Sequence, residues 1–263
     1  MASPYKVDLG PEQPRLPGSV VLRETFDDLL DSLCADIHLQ ANGCVREFGD
    51  FQLVVSPTDF AERVLTRLMI DPHYRDLPWA RTRVWLADDA TEAGEGGVSA
   101  DLKSVADLLV HAGLPAEQLH GFHAAGAPDQ PAEDRYEALL RETLGWREKG
   151  QDRPDFALLS LDAGGGVAGV AAQDIEISSP DRIAVRSLGE RGRVTMTLSM
   201  LNACRFVGVI ASGEDRAAPV ARIAESDRSV PASGLEPLGG ELRWYLDHAA
   251  CPEPETDPRE DTK

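Results

Sequence analysis

The sequence predicts an α/β protein: a three-layer, doubly wound, mostly parallel sheet with helices on both faces, Rossmann-like in layout. Two observations carry this. Short, continuously apolar runs of strand length recur along the chain, and amphipathic stretches with a 3.6-residue period separate them. Strands buried on both faces read as continuous apolar runs, and parallel strands need a crossover between them. No internal repeat or long linker interrupts the alternation, so residues 20–250 read as one domain. Residues 1–19, rich in Pro and Gly, read as an irregular lead-in, and the charged, Pro-rich 251–263 as an acidic, disordered tail.

The elements follow in order. FDDLLDSLCADIHLQ (26–40) carries an apolar stripe through Phe26, Leu29, Leu30, Leu33 and Ile37 and reads as a helix. FQLVV (51–55) is a buried strand, followed by a helix through FAERVLTRLM (60–69). TRVWLAD (82–88) is a second strand. DLKSVADLLVHAG (101–113) is a helix capped by Gly113, and AEDRYEALLRETLGW (132–146) another. FALLSL (156–161) and FVGVIASG (206–213) are strands. EDRAAPVARIAE (214–225) and GGELRWYLDHAA (239–250) read as closing helices.

Composition narrows the function classes. The chain has 263 residues, 42% hydrophobic and 27% charged, with a formal net charge of −19. The acidic balance and the lack of a Lys/Arg-rich patch argue against nucleic acid and anionic membranes as partners. No run approaches the roughly 20 apolar residues of a membrane helix. The N-terminal segment has no apolar h-region of a secretory signal, and the four cysteines (Cys34, Cys44, Cys204, Cys251) lie far apart without C-x-x-C spacing. These features point to a cytoplasmic protein with reduced thiols and no zinc site. His111, His120, His123 and His248 have no Cys, Asp or Glu placed with them at ligand spacing, so neither metal nor cofactor is expected. Trp79, Trp85 and Trp244 read as packing residues, and Ser56 and Ser160 lack a nucleophile-elbow pattern.

In a doubly wound sheet, ligands bind at the carboxyl ends of the strands. The loop after FALLSL draws attention: LDAGGGVAGV, where Gly164, Gly166 and Gly169 fit G-x-G-x-x-G. A dinucleotide-binding turn needs a crossover helix after the third glycine, with IAVRSL (183–188) as the next strand. Only VAAQDIEI is available before SSP breaks it, and the motif follows several βα units instead of opening the domain. That reading is set aside.

The same loop belongs to a longer pattern. In order, the chain carries LLSLDAGGGVAGV, then RVTMTLSMLNACRFVGVIASGEDRA, then WYLD. These resemble the 6-phosphogluconolactonase family, related to glucosamine-6-phosphate deaminases. Its corresponding segments are L-L-G-M-G-x-D-G-H-T-A-S-L, R-x-T-L-T-x-x-x-L-N-A-A, a strand ending G-x-x-K-A, and W-x-x-D. Arg193, Thr195, Thr197, Leu201, Asn202 and Gly213 fall in register without a gap. Upstream, LVVSPTDFAERVLTRL, PWARTRVWLADDA and GLPAEQLHGF resemble weaker segments, so the likeness spans roughly residues 24–250.

The resemblance implies a lactone hydrolase of sugar-phosphate metabolism, in the pentose phosphate pathway, yet the chemical positions have changed. The acid and histidine of D-G-H fall on Gly164 and Gly166, around Gly165. The phosphate loop S-G-G-S-T-P becomes Ser56-Pro57-Thr58-Asp59-Phe60-Ala61, where proline removes a backbone donor. The D-E-R triplet becomes Asp88-Asp89-Ala90. Arg193 is kept, and the family lysine is Arg216. Ser56, Asp88, Asp89, Arg193, Arg216 and the three glycines are therefore the expected substrate-binding positions, and Asp162 is the one candidate base. Two readings follow. One is a catalytically impaired relative that binds a sugar phosphate or a protein partner. The other is an active lactonase with Asp162 as a substitute base. Asp59, Asp88, Asp89 and Asp162 are expected to crowd the same rim with negative charge.

Overall fold

The computed structural model describes residues 10–91, 98–122, 130–145, 153–172, 181–187 and 192–252. Its main sheet has seven strands in the order β1-β10-β9-β6-β2-β3-β5, and every neighbouring pair is parallel. In chain order these are β1 (Ser19–Arg23), β2 (Phe51–Val55), β3 (Thr82–Leu86), β5 (Leu119–His120), β6 (Phe156–Ser160), β9 (Phe206–Ala211) and β10 (Glu241–Asp247). A second, three-stranded antiparallel sheet joins β4 (Asp88–Ala90), β8 (Arg193–Met196) and β7 (Ala184–Ser187) in the order β4-β8-β7. The helices are α1 (Phe26–Phe48), α2 (Asp59–Ile70), α3 (Ala100–Leu109), α4 (Ala132–Gly145), α5 (Leu198–Ala203) and α6 (Ala217–Ala224).

The central strands β2, β6 and β9 are buried at every position, which requires cover on both faces. Their Phe, Leu, Val and Ile side chains meet Trp85, Trp244 and Tyr245, all fully buried. Trp85 places its indole N–H on Gln52 Oε1 at 2.7 Å, and Trp244 places its own on the Pro17 carbonyl at 2.8 Å. The three tryptophans singled out in the sequence are all core residues. Among the described residues no helix is long and apolar enough to cross a membrane.

Helix caps follow local chemistry. Thr25, Thr58, Ser99 and Thr197 cap α1, α2, α3 and α5, each side-chain oxygen accepting a backbone N–H of the first turn. Gly49, at φ 91°, ends α1, and Gly113, at φ 82°, ends the short 3-10 turn that follows α3.

Four expectations are corrected. The stretch 239–250 is not a helix: Glu241–Asp247 forms β10, wedged between β1 and β9. Leu242, Tyr245, Leu246 and Ala249 fit a helical stripe, but the chain approaches so closely at Gly240 that a Cβ there would lie 2.4 Å from the Cys204 carbonyl oxygen. Extended backbone with Trp and Tyr then fits the gap in the sheet. Second, β1 begins at Ser19, inside the span read as lead-in, and Leu16 is already buried. Third, TRVWLAD is not one strand. It leaves the parallel sheet at Ala87, and Asp88–Ala90 pairs antiparallel with β8. Fourth, α1 continues to Phe48, because Ala41 and Cys44 prolong its buried stripe with small side chains. IAVRSL does hold a strand, β7, but in the antiparallel sheet, which is no place for the second strand of a dinucleotide unit.

Candidate functional site

The loops after β2, β6 and β9 converge at the carboxyl edge of the sheet. They enclose a cavity of about 440 Å³ lined by Thr58, Asp59, Phe60, Arg63, Ser160, Leu161, Asp162 and Arg216. Thr58 and Ser160 share a hydroxyl–hydroxyl hydrogen bond of 2.8 Å that ties the β2 and β6 loops together. Two arginines and two aspartates face this space, so its formal charge cancels.

The glycine loop forms one wall and is closed on itself. Gly164 and Gly166 each donate a backbone N–H to Asp162 Oδ1 at 2.8 Å. The Asp162 N–H donates to the Gly166 carbonyl, and the Gly165 N–H to the Asp162 carbonyl, both at 3.0 Å. Asp162 is the fastener of this turn. Gly165 has φ 84°, and a Cβ there would lie 2.4 Å from Val230 Cγ1. A Cβ on Gly166 would lie 2.5 Å from Asp162 Oδ2 and 2.6 Å from the Val170 carbonyl oxygen. The loop is thus folded around the absence of side chains at Gly165 and Gly166, the second being where the resemblance places the histidine.

Arg216 reaches the cavity from the turn after β9. Its Nε donates to the Leu161 carbonyl at 3.3 Å, it pairs with Asp215, and its guanidinium stands 5.5 Å from the centre of the Phe60 ring. Asp247, the acid of the terminal W-x-x-D, anchors that turn. It accepts the Gly213 N–H at 3.1 Å and the Ser212 hydroxyl, while Gly213 adopts φ 96°.

Arg193 stands apart from this cavity lining. One terminal nitrogen lies 2.7 Å from Asp88 Oδ2 and 2.8 Å from Asp101 Oδ2. Ser56 donates its hydroxyl to Asp88 Oδ1 at 2.7 Å, so the chain Ser56–Asp88–Arg193–Asp101 is continuous. Asp88 is buried, and burial pushes its carboxyl above the usual range although Arg193 and Ser56 pull the other way. Asp89 is fully buried, and its Oδ1 accepts the Ala90 N–H at 2.9 Å. Its charge adds to burial in raising the Tyr136 phenol well above its ordinary range.

The expected acidic rim is therefore corrected. Asp59 and Asp162 line the cavity, but Asp88 and Asp89 lie beneath the surface, carried there by the turn of β4 into the second sheet. Of the positions singled out, Asp162 and Arg216 line the cavity with side chains, and the three glycines build the turn beside it. Arg63, Thr58 and Ser160 join them. Arg63 was not legible as a site residue, since an exposed arginine four positions after Asp59 on a helix looks like any solvated charge. Asp101 looked like an ordinary first-turn acid, favoured there by the helix dipole.

Among the described residues no group of three or more His, Cys, Asp or Glu is placed to hold a metal ion. His120 is buried, stacked on Trp85 at 4.1 Å, and burial pulls its imidazole down to about 4. His123 lies outside the described residues. All four cysteines are buried, and none of them forms a disulfide.

Residues 24–244 match the family described as glucosamine-6-phosphate isomerases/6-phosphogluconolactonase. The chain belongs to that family. Among relatives in this family of sugar-phosphate metabolism, it is 24% identical to a probable 6-phosphogluconolactonase 1 of Oryza sativa subsp. japonica, covering 91% of this chain and 86% of that one. It is 25% identical to the GDH/6PGL endoplasmic bifunctional protein of Homo sapiens, over 85% of this chain but only 29% of that protein's length. A 6-phosphogluconolactonase of Rattus norvegicus is 35% identical over 55% of this chain and 57% of its own. The 6-phosphogluconolactonase of Thermotoga maritima superposes with a TM-score of 0.71 at 19% identity, covering 87% of this chain and 99% of that one. A monomeric glucosamine-6-phosphate deaminase superposes with a TM-score of 0.69 at 16% identity, covering 88% and 98%. Both show the family fold.

Proposed function

We propose that this chain is a non-catalytic member of its family: it keeps the cavity at the sheet edge and has lost the reaction. One observation carries the reading, the closed turn from Asp162 to Gly166. Hydrolysis of a lactone needs a group to take a proton from the attacking water, a contribution of typically 10²–10⁴-fold. Glycine supplies none at 164 or 166. Asp162 spends Oδ1 on two backbone N–H groups of its own loop. The phosphate side is weakened in the same direction. Pro57 offers no N–H, Asp59 adds a negative charge to the cavity lining, and Ala90 stands where the resemblance calls for arginine. Arg63 and Arg216 remain to hold a sugar phosphate, opposed by two aspartates, so binding is weak and a protein partner is the other ligand class to test.

The experiment is hydrolysis of 6-phosphogluconolactone by the purified chain, measured against the spontaneous rate. The expected result is no acceleration. Turnover in the ordinary enzymatic range of about 1–10³ s⁻¹ that Asp162→Asn abolishes would establish the second reading, a lactonase with Asp162 as base. The placement of Asp162 in the cavity lining is what favours that alternative.

A further inference from the structure

Asp59 and Phe60 stand where the resemblance puts a serine and a threonine of the phosphate loop, and both line the cavity. Phe60 is half-buried. Its ring centre lies 5.6 Å from that of Phe26 at a tilt of 39°, within the range in which aromatic pairs attract. The Arg63 guanidinium stands 4.2 Å over the Phe26 ring, and that of Arg216 lies 5.5 Å from the centre of Phe60. Two arginines thus bracket a pair of rings, one of which forms part of the cavity wall.

The polar groups that a sugar needs are already committed. The Thr58 and Ser160 hydroxyls bond each other, and the Thr58 oxygen also accepts the Ala61 N–H at 3.3 Å. Asp162 Oδ1 is held by two N–H groups of its own loop, and Arg216 by the Leu161 carbonyl and Asp215. A polyhydroxylated ligand would therefore bury hydroxyls against Phe60 and Leu161 without partners, which costs their desolvation. Other lining groups are unspent. Asp59 and Arg63 lie one turn apart on α2, a spacing that suits an ion pair, yet neither pairs with another charge among the described residues. The surface left for a ligand is an aromatic ring edged by one negative and one positive charge.

We propose that the cavity takes an aromatic zwitterion of the α-amino-acid type, with its ring packed on Phe60, its ammonium on Asp59 and its carboxylate on Arg63. The proposal rests on the reading of the cavity as a binding site that has lost its reaction. It names the ligand class that fits what the chain has put there. The lining carries two arginines and two aspartates, and a zwitterion leaves that balance intact. A phosphate monoester brings about −1.5 to −2 charges at neutral pH and leaves the aspartates uncompensated.

The test is a ligand-observed NMR titration of the full chain with four matched probes: L-phenylalanine, L-alanine, 3-phenylpropionate and glucose 6-phosphate. L-phenylalanine is expected to bind about tenfold or more tighter than each of the others, which lack the ring, the ammonium or both. Phe60→Leu keeps an apolar side chain without the ring and should lower L-phenylalanine to the level of L-alanine. Asp59→Asn should bring L-phenylalanine and 3-phenylpropionate to equal affinity. If a variant does not fold, as judged by circular dichroism, the ranking of the four probes on the unsubstituted chain decides. The proposal is overturned if glucose 6-phosphate binds as tightly as L-phenylalanine, if no probe binds at millimolar concentration, or if folded Phe60→Leu keeps the preference for the ring. Lactone hydrolysis is read in a separate assay. Turnover there would overturn the non-catalytic reading, whereas a wrong probe ranking in a chain without turnover overturns only the ligand class.

Discussion

Two arginines stand near the carboxyl edge of the sheet, and they are used differently. Arg193 lies on β8 of the small antiparallel sheet, within 2.8 Å of carboxylates from β4 and α3. Arg216 lies in the turn after β9, pairs with its exposed chain neighbour Asp215 and lines the cavity. The first joins three pieces of the fold, whereas the second decorates an opening. The same residue type serves cohesion in one place and availability in the other, and burial of the partner acid decides which.

The sharpest way to break this contrast is to remove each cation. Arg193→Ala strands Asp88 in the interior, and leaving one partner of a buried pair uncompensated costs about 3–5 kcal/mol. Urea unfolding should show that loss as a lower midpoint with unchanged slope. The loss should also depend on pH. Because burial raises the Asp88 pKa, its neutral form favours the folded state at low pH, and that contribution falls as pH rises through the raised value. Arg193 limits the fall, so Arg193→Gln should destabilise far more at pH 8 than at pH 4. Equal destabilisation at both would mean that Asp88 is not the charge Arg193 compensates.

Gly169→Ala probes the seat of the Arg193 guanidinium without touching charge. A Cβ at φ 69°, 3.1 Å from Arg193 and Asp88, should cost about 1–3 kcal/mol. A neutral outcome in thermal unfolding would show that the guanidinium shifts freely and is not seated. Ser56→Ala removes one hydrogen bond to Asp88, with an expected loss of about 1–2 kcal/mol. Arg216→Ala should have the smallest effect, under about 1 kcal/mol, since its ion pair is with an exposed acid. A larger loss there would show that Arg216 is as structural as Arg193, and the contrast would fall.

Much of the frame was legible before the structure. FQLVV, FALLSL and FVGVIA are apolar runs interrupted only by Gln52, Ser160 and the small Gly208, and only strands covered on both faces need so little polarity, so the centre of the sheet could be read directly. The periphery was harder. The segment 239–250 satisfies a helical stripe as well as an extended one, and the choice is made by a gap between β1 and β9 and by close approach at Gly240, neither of which is local. β1 sits at an edge, is only partly buried and lacks a strong pattern. At the site, the glycines and Asp162 were visible in the motif register, and so were the loss of histidine and the change to proline. The fate of Arg193 was not. Its register suggested an anion contact, but its partners are a strand residue some hundred positions away and a helix acid that reads as a dipole complement. Pairing over such separations is set by how the second sheet folds back, and no sequence period reports it.

The position of β10 has a consequence for how this chain is made. It is the last of the described strands in chain order, yet it stands second in the sheet, between β1 and β9. While the ribosome is still adding residues before Glu241, β1 has no strand to pair with, Trp244 is absent from the core, and the turn that carries Arg216 lacks the Asp247 that anchors it. The emerging chain must hold β1 in waiting through more than two hundred residues of synthesis. A nascent chain arrested before Glu241 should therefore remain open to protease in the Ser19–Arg23 strand, and extension past Asp247 should close it in a single late step.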